Sequence, residues 1–397
     1  MAMVTVKPGH VQPLWAGHPW VYAQAIERVE GGAAAGDEVD VVDPRGNFLG
    51  RGLYSPRSAI PVRLYSWQRG VAFNVALVAQ RVRVAQQRRR AMGLPNAGTD
   101  AFRLVNAEGD DLPGLVVDLY ARVAAVQFAT VGTKRREELV LDALGGLLEP
   151  EAIVDRSSSV IARVEEFSPR RGIVRGAPDL SELVFRERGF AYRIPLSLGQ
   201  KTGFYLDQRP LRDRVEELAR GRRVLDTFAY VGALSLAAAR GGASSVTAVD
   251  SSALALEVAA ECAERNGLGG KIQLEHGDAA EELGRAGRRG GYDLVICDPP
   301  KLAPTRPSLK QAAAMARRLA GLACRATRVG GLLALSSCSA ALGMHELARA
   351  TALGARDVGL RALVLERIFQ GPDHPVPAAF PEGLYLSTLI LEILGRS

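Results

Sequence analysis

The C-terminal half of the chain repeats short apolar runs that alternate with helical patterns. The run LVIC precedes Asp298 and the run LLAL precedes Ser336, and glycines lie at or near the start of each. Evenly apolar runs of this length suit strands that are buried on both faces of a parallel sheet. The helical pattern between them makes a βαβ unit, so the two strands should be neighbours. This half is predicted to be a doubly wound α/β sheet, with its ligand site at the carboxyl ends of the strands.

Each of the five predicted parallel strands ends at a polar residue. These residues are Asp226, Asp250, Asp278, Asp298 and Cys338. Ser251 or Ser252 is expected to cap the helix that follows the second strand. Two later runs, LRALVLERI and GLYLSTLILEI, predict a closing antiparallel pair. The polar strand ends should therefore converge on one cleft.

Residues 1–68 show short alternating stretches that predict a small β domain. The stretch VDVVDPRGNFLGRGLYS alternates on both sides of a Pro-Arg-Gly-Asn turn, which is typical of a β-hairpin. The segment carries Arg45, Arg51, Arg57 and Arg63. These arginines suit an RNA-binding barrel, and they equally suit an ordinary β domain with solvated side chains.

Residues 73–187 predict a second, α/β domain, and residues 188–397 form the doubly wound domain. The second domain begins with a helix that Asn74 caps. The polar faces of this helix carry Arg81, Arg83, Arg88, Arg89 and Arg90. We consider two roles for these side chains, contact with RNA phosphates or a solvated face. A breaker-rich stretch from Ser168 to Glu182 ends the domain.

Composition and charge describe a globular protein with an acidic partner. The 397 residues are 47% hydrophobic and 23% charged, which excludes disordered and membrane classes. A net charge of +7 favours nucleic acid as the partner. Four cysteines without paired spacing indicate a reducing compartment, and the start MAMVTVKPGH has no signal core. We expect a cytoplasmic protein without a membrane partner or a bound metal, and a homodimer is left open.

Asp250 follows Asp226 by twenty-four residues, each at the end of a predicted strand. An acidic residue about 20 positions after a nucleotide-loop strand typically binds a ribose diol, in S-adenosylmethionine or in NAD. The loop after Asp226 contains the single glycine Gly232 and lacks the G-x-G-x-x-G pattern that brings backbone against a pyrophosphate. This favours S-adenosylmethionine, which has no phosphates. The alternative is that both aspartates only cap their strands.

Two prolines and a lysine, Pro299, Pro300 and Lys301, follow Asp298. The prolines fix the backbone beyond the strand and hold Asp298 in place. In methyltransferases that act on amino groups, an aromatic side chain follows the prolines and stacks on the base. Lys301 takes that place here, which disfavours transfer to an exocyclic nitrogen.

Cys338 is the one cysteine that follows a strand among serines. Cys262 and Cys324 lie in helical patterns, and Cys297 lies inside an apolar strand, as buried small residues often do. Methylation of pyrimidine carbon 5 requires a thiolate that adds at carbon 6 and makes carbon 5 nucleophilic. A structural role for Cys338 is the alternative, and the expected proximity of Asp298 counts against it.

Eight sequence blocks between His18 and Leu386 resemble one family. They are HPWV, RGLYSP, EGDDLPGLVVD, GQKTGFYLDQR, DTFAYVGALS, DPPK, SSCS, and DHPV with PEGLYL. In this order they are similar to the bacterial RNA 5-methylcytosine methyltransferases of the ribosomal large-subunit methyltransferase I type. The resemblance implies a small β-barrel PUA domain, a central α/β domain, and then a Rossmann-like class I methyltransferase domain. It also implies a cytosine of 23S rRNA as the substrate and Cys338 as the nucleophile.

The resemblance extends to individual site residues. The block GQKTGFYLDQR helps close the cofactor site in this family, which makes candidates of Lys201, Phe204, Gln208 and Arg209. The methionine end of S-adenosylmethionine is expected against Asp226, Phe228, Tyr230 and Gly232. Its ribose is expected at Asp250 and Ser251, and its adenine at Asp278 and Ala279. Asp298 is expected to border the cofactor, to hold the flipped base and to be catalytic with Cys338, while Pro299, Pro300 and Lys301 contact the substrate.

Two other functions remain open from the sequence. One is an RNA N-methyltransferase that acts on guanine or adenine, in which Cys338 is a bystander. The other is a non-catalytic RNA-binding factor in ribosome assembly. The presence of both Asp298 and Cys338 argues against the second, because a vestigial site needs neither residue.

Overall fold

A computed structural model of the chain describes residues 2–176, 180, 183–195, 203–301, 309–339 and 342–395. The chain divides into two compact units, each built from segments that are distant in sequence. The first unit comprises Met1–Gly189, Pro195–Leu206 and Pro372–Gly383, and the second comprises Phe190–Ile194, Asp207–Gly371 and Leu384–Ser397. The division into residues 1–68, 73–187 and 188–397 stays a prediction.

The first unit begins with a six-stranded sheet. Its elements are β1 (Met3–Val6), α1 (Val11–Trp15), β2 (Trp20–Val21), β3 (Ile26–Glu30), β4 (Glu38–Val42), β5 (Phe48–Tyr54) and β6 (Val62–Ser66). The strand order is β2-β6-β5-β4-β1-β3. The predicted hairpin is confirmed as β4 and β5, which pair antiparallel across the turn. Alternating valines and leucines of these strands form a buried core of their own.

A second, five-stranded sheet follows in the same unit. Its region contains α2 (Val75–Ala91), β7 (Ala101–Asn106), β8 (Leu115–Tyr120), β9 (Val123–Phe128), α3 (Val131–Lys134), α4 (Glu137–Leu148), β10 (Ala152–Asp155), α5 (Ser159–Glu165), β11 (Gly172–Gly176) and β12 (Val184–Glu187). The strand order is β11-β10-β9-β8-β7. Asn74 caps α2 as predicted, because its side chain accepts a hydrogen bond from the backbone N–H of Leu77. Leu53 and Tyr65 of the first sheet share a core with this region.

The late segment Pro372–Gly383 also belongs to the first unit, and we call it the strap. Asp373 accepts a hydrogen bond from the backbone N–H of Arg103, and Glu382 accepts bonds from His18 and Tyr22. Gly109 permits a close approach, since a Cβ there would lie 1.9 Å from the carbonyl oxygen of Pro375 in the strap. The blocks HPWV, EGDDLPGLVVD and DHPV and the first three residues of PEGLYL, which are far apart in sequence, therefore belong to one unit.

The second unit is the predicted doubly wound domain. Its elements are β13 (Phe190–Arg193), α6 (Arg209–Leu218), β14 (Arg223–Thr227), α7 (Ala233–Arg240), β15 (Ser245–Asp250), α8 (Ala253–Arg265), β16 (Ile272–His276), α9 (Ala279–Arg288), β17 (Tyr292–Cys297), α10 (Leu309–Ala326), β18 (Thr327–Ser337), α11 (Met344–Asp357), β19 (Arg361–Ile368) and β20 (Ser387–Leu394). The sheet order is β16-β15-β14-β17-β18-β20-β19. The neighbouring parallel strands β17 and β18 and the closing antiparallel pair β19 and β20 are confirmed. Among the described residues, no helix is both long and apolar enough to cross a membrane.

Candidate active site

The candidate site lies at the carboxyl ends of β14, β15, β17 and β18 in the second unit. The chain runs from β14 outward to β16 and then returns to the other side of β14 as β17, so the winding reverses between β14 and β17. Thr227 is paired with Val249 on one side and with Cys297 on the other. Asp250 and Asp298, one residue further along, therefore flank the end of β14 from both sides. Because neighbouring strands are about 4.8 Å apart, the two backbones are about 10 Å apart.

Asp226 is completely buried one residue before the end of β14. Its Oδ2 accepts a hydrogen bond of 2.6 Å from the Ser235 hydroxyl, while its Oδ1 is buried without a partner among the described residues. Burial raises the pKa of the Asp226 carboxyl to about 7, the Ser235 hydroxyl opposes this shift, and the charges of Asp298 and Asp250 add to it. The three carboxylates therefore interact electrostatically within one site.

The raised pKa of Asp226 predicts a pH-dependent effect of Asp226→Asn on stability. At about pH 4 and below, folded and unfolded chains both hold the proton, and as the pH rises the unfolded chain releases it first. The folding stability of wild type therefore falls as the pH rises from about 4 to about 7, whereas the asparagine of the variant does not titrate. The melting temperature of Asp226→Asn, relative to that of wild type, should therefore rise by several degrees between about pH 4 and about pH 8.

Asp357→Asn provides a control of opposite sign. Arg317 lowers the pKa of the exposed Asp357 carboxyl, so this ion pair stabilises the fold above the ordinary pKa and is lost in acid. The melting temperature of Asp357→Asn, relative to that of wild type, should therefore fall as the pH rises. A melting-temperature difference for Asp226→Asn that does not change with pH would contradict a buried, proton-retaining Asp226.

The loop after β14 is held to Asp250 by a backbone hydrogen bond from Tyr230. The Asp250 carboxylate accepts from the backbone N–H of Tyr230 and from that of Ser252, each at 2.8 Å. Phe228, Tyr230 and Gly232 all have positive φ angles, so this loop turns tightly three times in five residues. At Gly232 a Cβ would also lie 3.2 Å from the Cβ of Ala259. The predicted methionine-end residues are thus fixed against the carboxylate that is predicted to hold the ribose.

The residues predicted for the adenine end lie at the end of β16 and the start of α9. Asp278 is exposed and caps α9 by accepting from the backbone N–H of Glu281, and Ala279 is the buried first residue of that helix. The carbonyl oxygen of Ser251 accepts a 2.9 Å hydrogen bond from His276. Ser252, and not Ser251, caps α8.

Asp298 follows β17 and is held by a residue from another block. The Gln208 side-chain Nε2 donates a 2.8 Å hydrogen bond to Asp298 Oδ2, and Gln208 is itself buried. Pro299 is buried behind Asp298, whereas Pro300 and Lys301 are exposed. The structure thus brings Gln208, from the end of the GQKTGFYLDQR block, and Asp298, from the DPPK block, together in the second unit.

Cys338 directly follows β18 and is the one cysteine that is not buried. Burial raises the pKa of Cys262 to about 11 and those of Cys297 and Cys324 to about 12, so these thiols stay protonated at neutral pH. Cys297 of β17 pairs in register with Leu335 of β18. Asp298 is therefore level with Ser336, and Cys338 lies two residues beyond Ser336. The carboxylate and the thiol therefore lie at the same edge of neighbouring strands, as predicted.

Three further candidates carried by the resemblance come from the GQKTGFYLDQR block. Lys201 lies outside the described residues. Phe204 belongs to the first unit, where its ring packs against Phe185 and its backbone N–H donates to the Tyr120 hydroxyl. Arg209 is the first residue of α6 in the second unit, next to Gln208.

Sequence reasoning missed the contacts that Asp207 makes with the residues just before and just after the strap. The Asp207 backbone carbonyl accepts from the N–H of Gly371, and its side chain accepts a 2.6 Å hydrogen bond from the Tyr385 hydroxyl. Gly371 and Tyr385 flank the strap in sequence. The presence of Asp207 and Tyr385 within family blocks was the available signal, but it did not reveal that they form a pair.

The structure corrects the proposed phosphate contacts of several arginines. Arg51 is buried and binds Glu38 and Asp40, and Arg63 is largely buried between Trp20 and Glu108. These two side chains are occupied by internal partners, because the neighbouring strand β4 places Glu38 and Asp40 beside Arg51, and Trp20 and Glu108 contact Arg63.

The arginines of α2 are also divided between the interior and the surface. Arg89 is fully buried on Asp110, Arg88 bonds the same carboxylate, and Arg81 donates to backbone carbonyls of Tyr65 and Asp111. The exposed members of the two predicted sets are Arg45, Arg57, Arg83 and Arg90. Arg57 forms an exposed ion pair with Glu166.

Comparisons with known proteins agree with this architecture. Residues 4–67 match the PUA-like domain family, and residues 174–384 match the S-adenosylmethionine-dependent methyltransferase family. A ribosomal RNA large subunit methyltransferase I from Alteromonas mediterranea is 34% identical over 394 residues, 99% of each chain. Another from Erwinia tasmaniensis is 32% identical over 388 residues, 97% of this chain and 98% of the relative.

Solved structures share the fold. A methyltransferase crystallised with SAH matches with a TM-score of 0.86 at 21% identity, over 98% of this chain and all of the other. A S-adenosylmethionine-dependent methyltransferase from Streptococcus mutans matches with a TM-score of 0.82 at 20% identity and the same coverage. None of these comparisons supports a homodimer.

Proposed function

We propose that this chain, which belongs to the ribosomal RNA large subunit methyltransferase I family, methylates carbon 5 of a cytosine in 23S rRNA through a covalent adduct with Cys338. It is a methyltransferase that uses S-adenosylmethionine. The observation that carries the finer proposal is the placement of Asp298 and Cys338 after the neighbouring parallel strands β17 and β18. Because ribosomal RNA is the substrate, we place the enzyme in the cytoplasm.

The described residues fit S-adenosylmethionine. Its methionine end carries an ammonium group, which donates three hydrogen bonds and accepts none. Asp226 Oδ1 is a buried acceptor without a partner among the described residues, so it suits such a donor. Asp250 lies at the end of β15 with an acidic group for the ribose hydroxyls. When bound, the cofactor supplies an electrophilic methyl group on its sulfonium.

Asp250→Ala should weaken the binding of S-adenosylmethionine and SAH alike, by about 10- to 100-fold. A lost charge-assisted hydrogen-bond pair costs about 1.5–3 kcal/mol. The substitution also frees the backbone N–H groups of Tyr230 and Ser252, so a small drop in melting temperature is expected. Calorimetric titration of SAH is the measurement, with the exposed Asp357→Ala as control. Unchanged affinity would remove Asp250 from the cofactor site.

In the reaction that we propose, Cys338 is the nucleophile and Asp298 holds the target cytosine. The Cys338 thiolate adds to carbon 6 of the cytosine, and the electron pair of the carbon 5–carbon 6 double bond becomes available at carbon 5. Carbon 5 takes the methyl group, a general base removes the carbon 5 proton, and the double bond re-forms as the thiolate leaves. Asp298 is the candidate for this base, because its carboxylate lies at the same edge of the sheet.

The first unit is proposed to hold the RNA. Its residues 4–67 match the PUA-like family. The exposed arginines of this unit include Arg45, Arg57, Arg83 and Arg90. The target nucleotide must leave its stack to reach a site of this kind.

Replacing Arg83 and Arg90 together with alanine should flatten the salt dependence of RNA binding. Each lost phosphate contact lowers the slope of log affinity against log salt by about 0.7–0.9. Fluorescence anisotropy of a labelled rRNA fragment at several salt concentrations is the measurement, and Arg349→Ala, an exposed arginine of α11, is the control. An unaltered slope in the double variant would show that this face of α2 is only solvated.

The proposed function is tested by mapping rRNA modifications. Mass spectrometry of 23S rRNA from a deletion strain should show one 5-methylcytosine missing, and wild-type protein should restore it. A missing methyl on a guanine or adenine nitrogen would make the N-methyltransferase the better account. Unchanged rRNA methylation would favour a role in assembly without catalysis.

A further inference from the structure

The amide of Gln208 has two ends with different surroundings. Its Nε2 donates a 2.8 Å hydrogen bond to Asp298 Oδ2, and its side chain lies directly before α6. Only 5% of the residue is exposed. Its Oε1 is buried and has no hydrogen-bond partner among the described residues. One half of the amide is therefore satisfied by the candidate catalytic carboxylate, and the other half is not satisfied.

A buried acceptor without a partner destabilises a fold and is rare in native structures. A ligand that donates an N–H or O–H group would satisfy Gln208 Oε1. The orientation of the amide is fixed by its neighbour, because a carboxylate accepts hydrogen bonds and must face the NH₂ end of the glutamine. With Nε2 held on Asp298, the unpartnered end of the amide is Oε1, which can only accept a hydrogen bond.

We propose that Gln208 Oε1 accepts a hydrogen bond from the exocyclic amino group of the target base, so that the Gln208–Asp298 pair selects cytosine over uracil. This inference rests on the proposed function. Cytosine carries an amino group at carbon 4, whereas uracil carries a carbonyl oxygen there. The carbonyl of uracil would face the Gln208 oxygen with two acceptors and no proton between them. A site built around a fixed hydrogen bond rejects such a substrate strongly.

The cofactor also carries donor groups, of which the ammonium is the charged one, and the geometry favours the base. Asp226 already provides a buried acceptor on β14 that has no partner within the described part of the chain, and it lies between the strand ends of Asp250 and Asp298. Gln208 instead contacts Asp298, which follows β17, the strand paired with the one that leads to Cys338. The Gln208 amide is thus on the carboxylate that neighbours the nucleophile.

The experiment measures single-turnover methylation of an rRNA fragment while one change is made in the enzyme, one in the target nucleotide, and then both together. The enzyme is wild type or Gln208→Met, and the target nucleotide is cytidine or pyrimidin-2-one riboside, which lacks only the amino group. Removal of the amino group should slow wild type by about 10- to 100-fold and Gln208→Met by no more than about threefold. Gln273 is an exposed residue of β16, and the control variant Gln273→Met should behave as wild type.

Three outcomes would overturn the inference. Equal slowing of wild type and Gln208→Met would show that Gln208 only positions Asp298. A wild type that is indifferent to the amino group would overturn it without any variant. SAH affinity that falls more than about tenfold in Gln208→Met, measured by calorimetry, would assign the oxygen to the cofactor.

Failure of the proposed function would be visible separately. The wild-type enzyme would then form no adduct with 5-fluorocytosine at the target and place no methyl group on carbon 5. If the adduct forms and the effects of the two changes are additive, the function stands and the inference about Gln208 fails.

Discussion

Cys338→Ser should reduce methyl transfer on the order of 10⁴-fold or more while leaving the affinities for SAH and RNA unchanged. A serine hydroxyl fills nearly the same space, but it does not form an anion at neutral pH and does not add to carbon 6. Removal of a group on which the covalent step depends abolishes nearly all of the acceleration that this step provides. Single-turnover transfer to the rRNA fragment is the measurement.

A trapped adduct tests the same residue directly. Fluorine at carbon 5 cannot leave as a proton does, so wild type given 5-fluorocytosine at the target should stay covalently bound to the RNA. The complex should survive denaturing electrophoresis, and peptide mapping should place it on Cys338.

Cys297→Ser is the matched control for both measurements. Cys297 is completely buried, and its raised pKa keeps its thiol protonated. This variant should transfer the methyl group and form the adduct. Methyl transfer that persists in Cys338→Ser, or an adduct that maps to another cysteine, would contradict the covalent mechanism through Cys338.

The sheet and the strand-end residues of the second unit were predictable from the sequence because the signals are local. An apolar run with a glycine at its start and a polar residue at its end defines a parallel strand and its carboxyl edge, as for β17 and β18. Helix caps such as Asn74 are read from a few adjacent residues. Residues that follow neighbouring strands are then placed at one edge by topology alone.

The partners of individual side chains were not predictable in this way. The amide of Gln208 meets Asp298 across 90 residues, and the backbone of Arg103 meets the strap across 270. No local pattern shows which acid faces which arginine. The helix α2 has an arginine-rich sequence whether its cations face solvent or, as Arg89 does, a buried carboxylate.

Arg89 illustrates why a charge pattern alone misleads. Its guanidinium is completely buried and makes four hydrogen bonds. Two go to the Asp110 carboxylate at 2.6 and 2.8 Å, one goes to the Arg103 carbonyl at 2.8 Å, and one goes to the Asp373 carbonyl in the strap at 2.7 Å. Because the guanidinium is fully buried and these four bonds go to groups of the same unit, it does not reach a phosphate at the surface.

Arg89→Met should destabilise the first unit by about 3–5 kcal/mol, because it leaves the buried Asp110 carboxylate without its main partner. Arg90→Met, one residue further along the helix and exposed, should change stability by less than about 0.5 kcal/mol. Denaturant unfolding followed by tryptophan fluorescence isolates the effect, since all three tryptophans belong to the first unit. Adding Asp110→Asn to Arg89→Met should recover part of the loss, because the unpaired charge is then removed. If Arg89→Met instead weakened RNA binding with no loss of stability, the cation would have to reach the phosphate backbone, and the internal ion pair would not be its role.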